Sequence, residues 1–270
     1  LDVPTGFLGW LSYDRFGRML YAHLRDNGVD LRYVGRSERP TALSFVSLGA
    51  GSEPSFAFYG QGTADTELAP ERLPTELADD LVALHFGSLA AAREPSATAL
   101  TALVEREHQL LTVSFDPNVR PGQLADRAAY VHRLEGWLGM VDLVKVSRSD
   151  LHHLYPGVPY PEAAAAWAGH GPGLVVVTLG AEGAEGFSRG GRARVDAVPV
   201  GVVDTVGAGD AFTAGLLAAL FDHGWLEPAR LAGLSSTQLR SVLSYANLVA
   251  ALTCTRRGAD PPRRRDVEGR

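Results

Sequence analysis

Seven consecutive residues, Asp204-Thr205-Val206-Gly207-Ala208-Gly209-Asp210, combine two glycines with two carboxylates. Val198, Val200, Val202 and Val203 precede them like a buried strand, and Ala211 to Phe221 follows like an apolar helix, so the glycines fall at a strand-to-helix turn. A helix start carries unpaired N–H groups and about half a positive charge, and glycine lets an anion approach the backbone without a Cβ in the way. Phosphate suits such a turn. Asp210 would repel that phosphate, so the placement makes chemical sense if the carboxylate takes a proton from a group attacking it. The bland alternative is a tight turn in which Asp210 caps the helix dipole.

The elements that must hold this turn show in the periodicity. From residue 81 apolar strands alternate with amphipathic helices: strand 81–86, helix 96–107, strand 110–115, helix 124–138, strand 141–146, helix 161–168, strand 174–179. Strands over 184–188 and 193–203 then lead into the turn, and a last helix spans 239–253. This order predicts an α/β fold, a mostly parallel sheet flanked by helices, with ligands gathering at the carboxyl ends of the strands. Those ends are polar: Asp116-Pro117-Asn118-Val119-Arg120, Lys145-Val146-Ser147-Arg148-Ser149-Asp150, and Thr178-Leu179-Gly180-Ala181-Glu182-Gly183. Each also reads as ordinary turn or cap chemistry, most plainly Ser147 as an N-cap with Asp150 in the first turn. Upstream, Asp14 opens a helix that Gly28 ends, and short runs 41–48 and 55–59 read as a hairpin joined across Gly49 to Pro54.

The longer pattern Asp204 to Gly215, Asp-Thr-Val-Gly-Ala-Gly-Asp-Ala-Phe-x-x-Gly, resembles the C-terminal signature of the ribokinase-like sugar kinases, also called the phosphofructokinase B family. Asp116-Pro117-Asn118-x-Arg120, His85-Phe86-Gly87-Ser88 before Glu94-Pro95, and Gly62-Thr63-Ala64-Asp65 resemble the fructokinase branch. The resemblance implies a single ribokinase-like domain over 1–270 that lacks its N-terminal head segment, with a small β-sheet lid at about 41–60. It implies an ATP-dependent carbohydrate kinase that phosphorylates a primary hydroxyl, most like fructose to fructose 6-phosphate. Asp210 would be the base and the amides of Gly207, Ala208 and Gly209 the charge holders. Lys145, Thr178, Gly180, Gly183 and Asn247 would serve ATP, Asn118 the sugar or the metal shell, and Arg120 a phosphate.

Asp150 stands where the family usually has Glu, which serves Mg2+ through water, and it is one methylene shorter. Carbonyls around Asp204, Val206 and Gly258 would hold a monovalent cation such as K+. Phe58 and Tyr59 are candidates for sugar contact or for lid packing, with Gly60 where many fructokinases carry Arg. Phe45, Phe56 and Phe58 are expected to stripe one face of the lid. Two exposed strands alone are marginal, so a homodimer through the lid is expected. Kinases for ribose or 2-keto-3-deoxygluconate, and a non-catalytic sugar-binding paralogue, are the competing readings.

Composition narrows the field. The chain has 270 residues, 46% hydrophobic and 21% charged, enough for a large core. A net charge of -6 offers nothing to nucleic acid or an anionic membrane. The single cysteine, Cys254, forbids an intrachain disulfide and fits a cytoplasmic setting. Arg263-Arg264-Arg265 after Pro261-Pro262 reads as a solvated tail.

Overall fold

A computed structural model describes residues 1–47, 55–124 and 126–269; the expected hairpin turn lies outside the described residues. The chain divides into two compact units, one of residues 4–77 and 90–103, the other of 1–3, 78–89 and 104 onward.

In the smaller unit, β1 (Gly9–Ser12) pairs in parallel with β2 (Val34–Ser37), and α1 (Arg15–Asp26) lies between them in sequence. Asp14 caps α1, its carboxylate accepting the Gly17 amide at 2.7 Å and the Thr41 amide and hydroxyl at 2.8 and 2.7 Å. These bonds hold the Asp14 carboxyl down at about 2. An antiparallel pair, β3 (Leu43–Ser47) and β4 (Ser55–Tyr59), forms a small sheet where the hairpin strands were expected. Phe45 stands opposite Ala57, and strand alternation puts it on the Tyr59 face, away from Phe58. The expected aromatic stripe is therefore split, and the Phe56 side chain lies outside the described residues.

The larger unit is built on a six-stranded sheet. From there the elements run β5 (Ala83–Gly87), α2 (Ser88–Ala92), α3 (Ser96–Glu107), β6 (Thr112–Asp116), α4 (Arg127–Leu138), β7 (Leu143–Ser147), α5 (Arg148–Leu154), α6 (Tyr160–His170), β8 (Leu174–Thr178), β9 (Ala184–Ser188), β10 (Gly191–Val195), α7 (Ala208–Asp222), α8 (Pro228–Ala232), α9 (Ser236–Cys254) and α10 (Arg264–Glu268); residues 90–103, with most of α2 and α3, belong to the smaller unit. The order across the sheet is β10-β9-β8-β7-β6-β5, with β5 to β8 parallel and the last two strands antiparallel.

Helices α7 and α9 cover one face. Leu143, Leu174 and Val176 of the sheet pack there on Phe212, Leu216 and Leu220 of α7 and Leu239, Val242 and Leu243 of α9. Each buried aliphatic side chain contributes roughly 1.5–3 kcal/mol. The two helices approach closely because residue 215 is glycine: a Cβ there would stand 3.0 Å from the Ala246 Cα. A second cluster stacks Phe86 on Phe115 with Trp137 edge-on to both.

Two expectations change. Residues 196–207 form no strand, and Val202 and Val203 are exposed. Pro199 interrupts the valine alternation, and the amides of Val203 and Asp204 both donate to the Cys254 carbonyl instead of to a neighbouring strand. The arginine run is not a solvated tail either. Arg264 bonds Asp222 at 2.7 Å and the Leu1 carbonyl at 2.6 Å, and Val267 of α10 is buried against Ala211, Val249 and Leu252.

Candidate active site

The sheet register dictates the first contact. Phe115 of β6 lies beside Val144 of β7, so the next pair, Asp116 and Lys145, projects from one face. Lys145 Nζ meets Asp116 Oδ2 at 2.8 Å, and both side chains are about 95% buried. Thr213 of α7 completes the group, 3.4 Å from Asp116 Oδ2 and donating to the Gly209 carbonyl at 3.1 Å. Burial pushes the Asp116 carboxyl above its ordinary value and the Lys145 ammonium pulls it back. Lys145, expected as an ATP lysine, thus gives one of its three N–H donors to Asp116. It still lies under the anion turn, where a Cβ on Gly209 would come 3.4 Å from Nζ.

The turn opens the expected helix, without the expected strand before it. Gly207 is the N-cap of α7 at φ 79, a left-handed conformation that suits glycine, and a Cβ there would also strike the Ala259 Cβ at 2.8 Å. No side chain caps this helix. The Ala208 amide donates to the Thr205 carbonyl at 3.2 Å, which removes it from the expected set of charge holders. The amides of Gly207, Gly209 and Asp210 have no acceptor among the described residues, and the exposed Asp210 carboxylate has no partner among them. Asp204 braces the turn: its carboxylate accepts the amides of Val206 at 3.0 Å and Gly258 at 2.8 Å, which hold its pKa below the ordinary value.

Asn118 adopts φ 39, and its amide donates to Asp116 Oδ1 at 3.1 Å. Arg120 is exposed at the end of the same loop. Asp150 is buried and forms a capping box with Ser147: its Oδ2 accepts the Ser147 amide at 3.0 Å and hydroxyl at 2.6 Å, while Ser147 Oγ accepts the Asp150 amide at 3.0 Å. Its other oxygen accepts the Val119 amide at 2.9 Å. The cap reading of Asp150 therefore describes its bonds, and the tie to Val119 lay beyond any local pattern.

On the other side of the sheet centre, β8 ends at Thr178, and Gly180 and Gly183 take positive φ in the turn to β9. Asn247, buried in α9, donates to the Asp196 carbonyl at 3.0 Å, so it anchors the segment leading toward the turn. In the smaller unit Tyr59 is 64% exposed with Phe45 edge-on to it, and Phe58 lies beneath the Arg93 guanidinium at 4.6 Å. Residues the motifs missed are Thr213, Ser114, which pairs with His85 Nδ1 at 3.0 Å, and Tyr130, whose buried hydroxyl has its pKa raised by burial and by the charges of Asp150 and Asp116. A lone threonine inside the apolar run Ala211 to Phe221 was the one visible sign of them.

A helix start with no side-chain cap, a carboxylate in its first turn and a buried ammonium beneath form an arrangement that can face an anion and take a proton, as phosphoryl transfer needs. The profile of the pfkB family of carbohydrate kinases matches residues 1–265. A fructokinase of Rhizobium leguminosarum bv. trifolii is 37% identical over 89% of this chain and 73% of its own length. A Vibrio cholerae fructokinase, solved with fructose, ADP and calcium, superposes with TM-score 0.84 at 29% identity, covering all of this chain and 86% of that one. An aminoimidazole riboside kinase of Salmonella enterica, solved with its riboside and an ATP analogue, gives TM-score 0.84 at 27% identity over the same shares. The chain belongs to the pfkB family of carbohydrate kinases, with a ribokinase-like fold, and is an ATP-dependent sugar kinase.

Proposed function

We propose that this kinase phosphorylates fructose on its 6-hydroxyl with Asp210 as the base. The observation that carries the roles is the open start of α7, with its unpaired carboxylate beside free amides. As the sugar oxygen bonds to the γ-phosphorus, the bond to the ADP oxygen breaks and the hydroxyl proton passes to Asp210. The amides of Gly207, Gly209 and Asp210 face the charge on the transferred group, with Lys145 buried below and Arg120 exposed at the neighbouring loop. Thr178, Gly180 and Gly183 line the nucleotide side, and Asn118 reaches the sugar.

No three His, Cys, Asp or Glu side chains converge on a metal cage among the described residues. Mg2+ fits as an ion that travels on the nucleotide's phosphates, for which one carboxylate suffices. Asp116 Oδ1 accepts only the Asn118 amide and keeps a lone pair for it. Bound there, the ion would neutralise phosphate charge. Carbonyls of the loops braced by Asp204, around Val206 and Gly258, would hold a monovalent cation.

The lid pair β3–β4, with Phe45 57% and Tyr59 64% exposed, favours a homodimer through that surface. No helix among the described residues is long and apolar enough to cross a membrane. With a single cysteine, the reducing cytoplasm is the setting that suits the chain.

Sugar-dependent ADP release tests the substrate. Fructose should give a kcat/KM well above ribose, 2-keto-3-deoxygluconate and aminoimidazole riboside, because buried polar groups placed for one set of hydroxyls penalise the others. Better turnover of a rival reassigns the sugar, and no release with any of them rejects a kinase of small sugars. Sedimentation of the protein tests the dimer.

A further inference from the structure

We propose that Asp150 is a positioning residue that fixes the loop carrying Asn118 and Arg120, and that it does not join the metal's water shell. The proposal rests on the reading that Asn118 and Arg120 serve sugar and phosphate.

Two consecutive amides of that loop are held by carboxylates, one at the end of β6 and one in the first turn of α5. The Asn118 amide donates to Asp116 Oδ1 at 3.1 Å, and the Val119 amide to Asp150 Oδ1 at 2.9 Å. Between these anchors Asn118 sits at φ 39, a region few non-glycine residues occupy and one that persists when surrounding bonds over-determine it. Val119 is itself buried, so its N–H has no route to water if the carboxylate leaves.

The length of the side chain matters. Asp150 closes the capping box with one oxygen while the other reaches a residue 31 positions earlier. A carboxylate one methylene longer overshoots one of the two partners. An amide turns an N–H toward one of the donors. Drawing the group toward a metal would strand the amides of Val119 and Ser147 together. The aspartate is thus matched to stapling α5 to the β6 loop.

Amide hydrogen exchange on the metal-free wild-type protein gives a readout independent of activity. The Val119 amide should exchange slowly, and Mg2+ with a non-hydrolysable ATP analogue should leave it slow. Acceleration by about 10-fold or more on adding them would show the carboxylate leaving the loop, and would overturn the proposal.

Kinetics supply the second arm. Asp150→Asn and Asp150→Glu should each raise the KM for fructose about 10-fold or more, with the Mg2+ concentration for half-activation within about twofold of wild type. A Glu variant that behaves like wild type, or that needs less Mg2+, overturns the proposal. If either variant fails to fold, the exchange measurement decides. Asn118→Ala and Arg120→Ala separate the two readings: unchanged KM in both sinks the assignment of the loop to substrate, whereas large effects there with a silent Asp150→Glu sink only the staple.

Discussion

Helices α5 and α7 both carry an aspartate three residues after their cap, and the two helix starts do opposite things. In α5 the cap is Ser147, and Asp150 closes a box that pairs the Ser147 and Asp150 amides with each other's side chains. In α7 the cap is Gly207, no side chain reaches back, and Asp210 stays unpaired. The difference lies in the cap residue. A serine hydroxyl brings the aspartate home as a bonding partner, whereas a glycine in the left-handed region leaves amides and carboxylate pointing outward. The anion site proposed at α7 rests on withholding the ordinary cap, and the stability forgone there is what leaves its donors available.

The comparison can be broken most decisively at Asp210. Asp210→Asn keeps size and charge-free hydrogen bonding but cannot take a proton, so kcat should fall ~100- to 10,000-fold. The same variant should lose under about 1 kcal/mol of stability, because the carboxylate holds nothing in the fold. Normal turnover with lowered melting temperature would make Asp210 a second Asp150.

Gly207→Ala comes next. It forces a Cβ into the left-handed region and against Ala259, which should cost about 1–3 kcal/mol and raise the KM for ATP as the turn re-forms. An unchanged KM with the expected loss of stability would show that the turn's shape serves folding only.

Ser147→Ala sharpens the other side. Loss of a side-chain cap costs about 0.5–2 kcal/mol, and the KM for ATP should stay put, since the Ser147 hydroxyl bonds Asp150 within its own box. A raised KM for ATP would mean that both helix starts meet the nucleotide.

The smallest effect is expected at α1, a helix capped by the Asp14 side chain. The folded Asp14 carboxyl titrates at about 2 against an ordinary 3.8, so its contribution is complete above about pH 5 and is lost progressively as pH falls below that through the folded value. Asp14→Ala should remove that segment of the acid-stability curve while leaving the curve above about pH 5 parallel to wild type. NMR titration of the Asp14 carboxyl checks the value directly.

The strand and helix succession from 81 to 188 was legible because each element buries one face and repeats at its own period. The valines before the turn misled for the same reason: alternation marks burial on one side, and it cannot see that Pro199 and the Cys254 carbonyl divert the backbone. The end of the chain was misjudged through Arg264, whose partners Asp222 and Leu1 stand 42 and 263 residues away.

By itself the sequence determined the class of sheet, the glycine turn and the acid that follows it, since a left-handed cap and a first-turn carboxylate are properties of a few consecutive residues. Only the tertiary structure decided what the remaining charges do. Lys145 faces Asp116 because parallel register sets two strands side by side, and Asp150 reaches Val119 across 31 residues because β6 and β7 are neighbours in the sheet. Such pairings depend on which backbone lies 4.7–4.9 Å or so away, a distance that no local pattern of residues encodes.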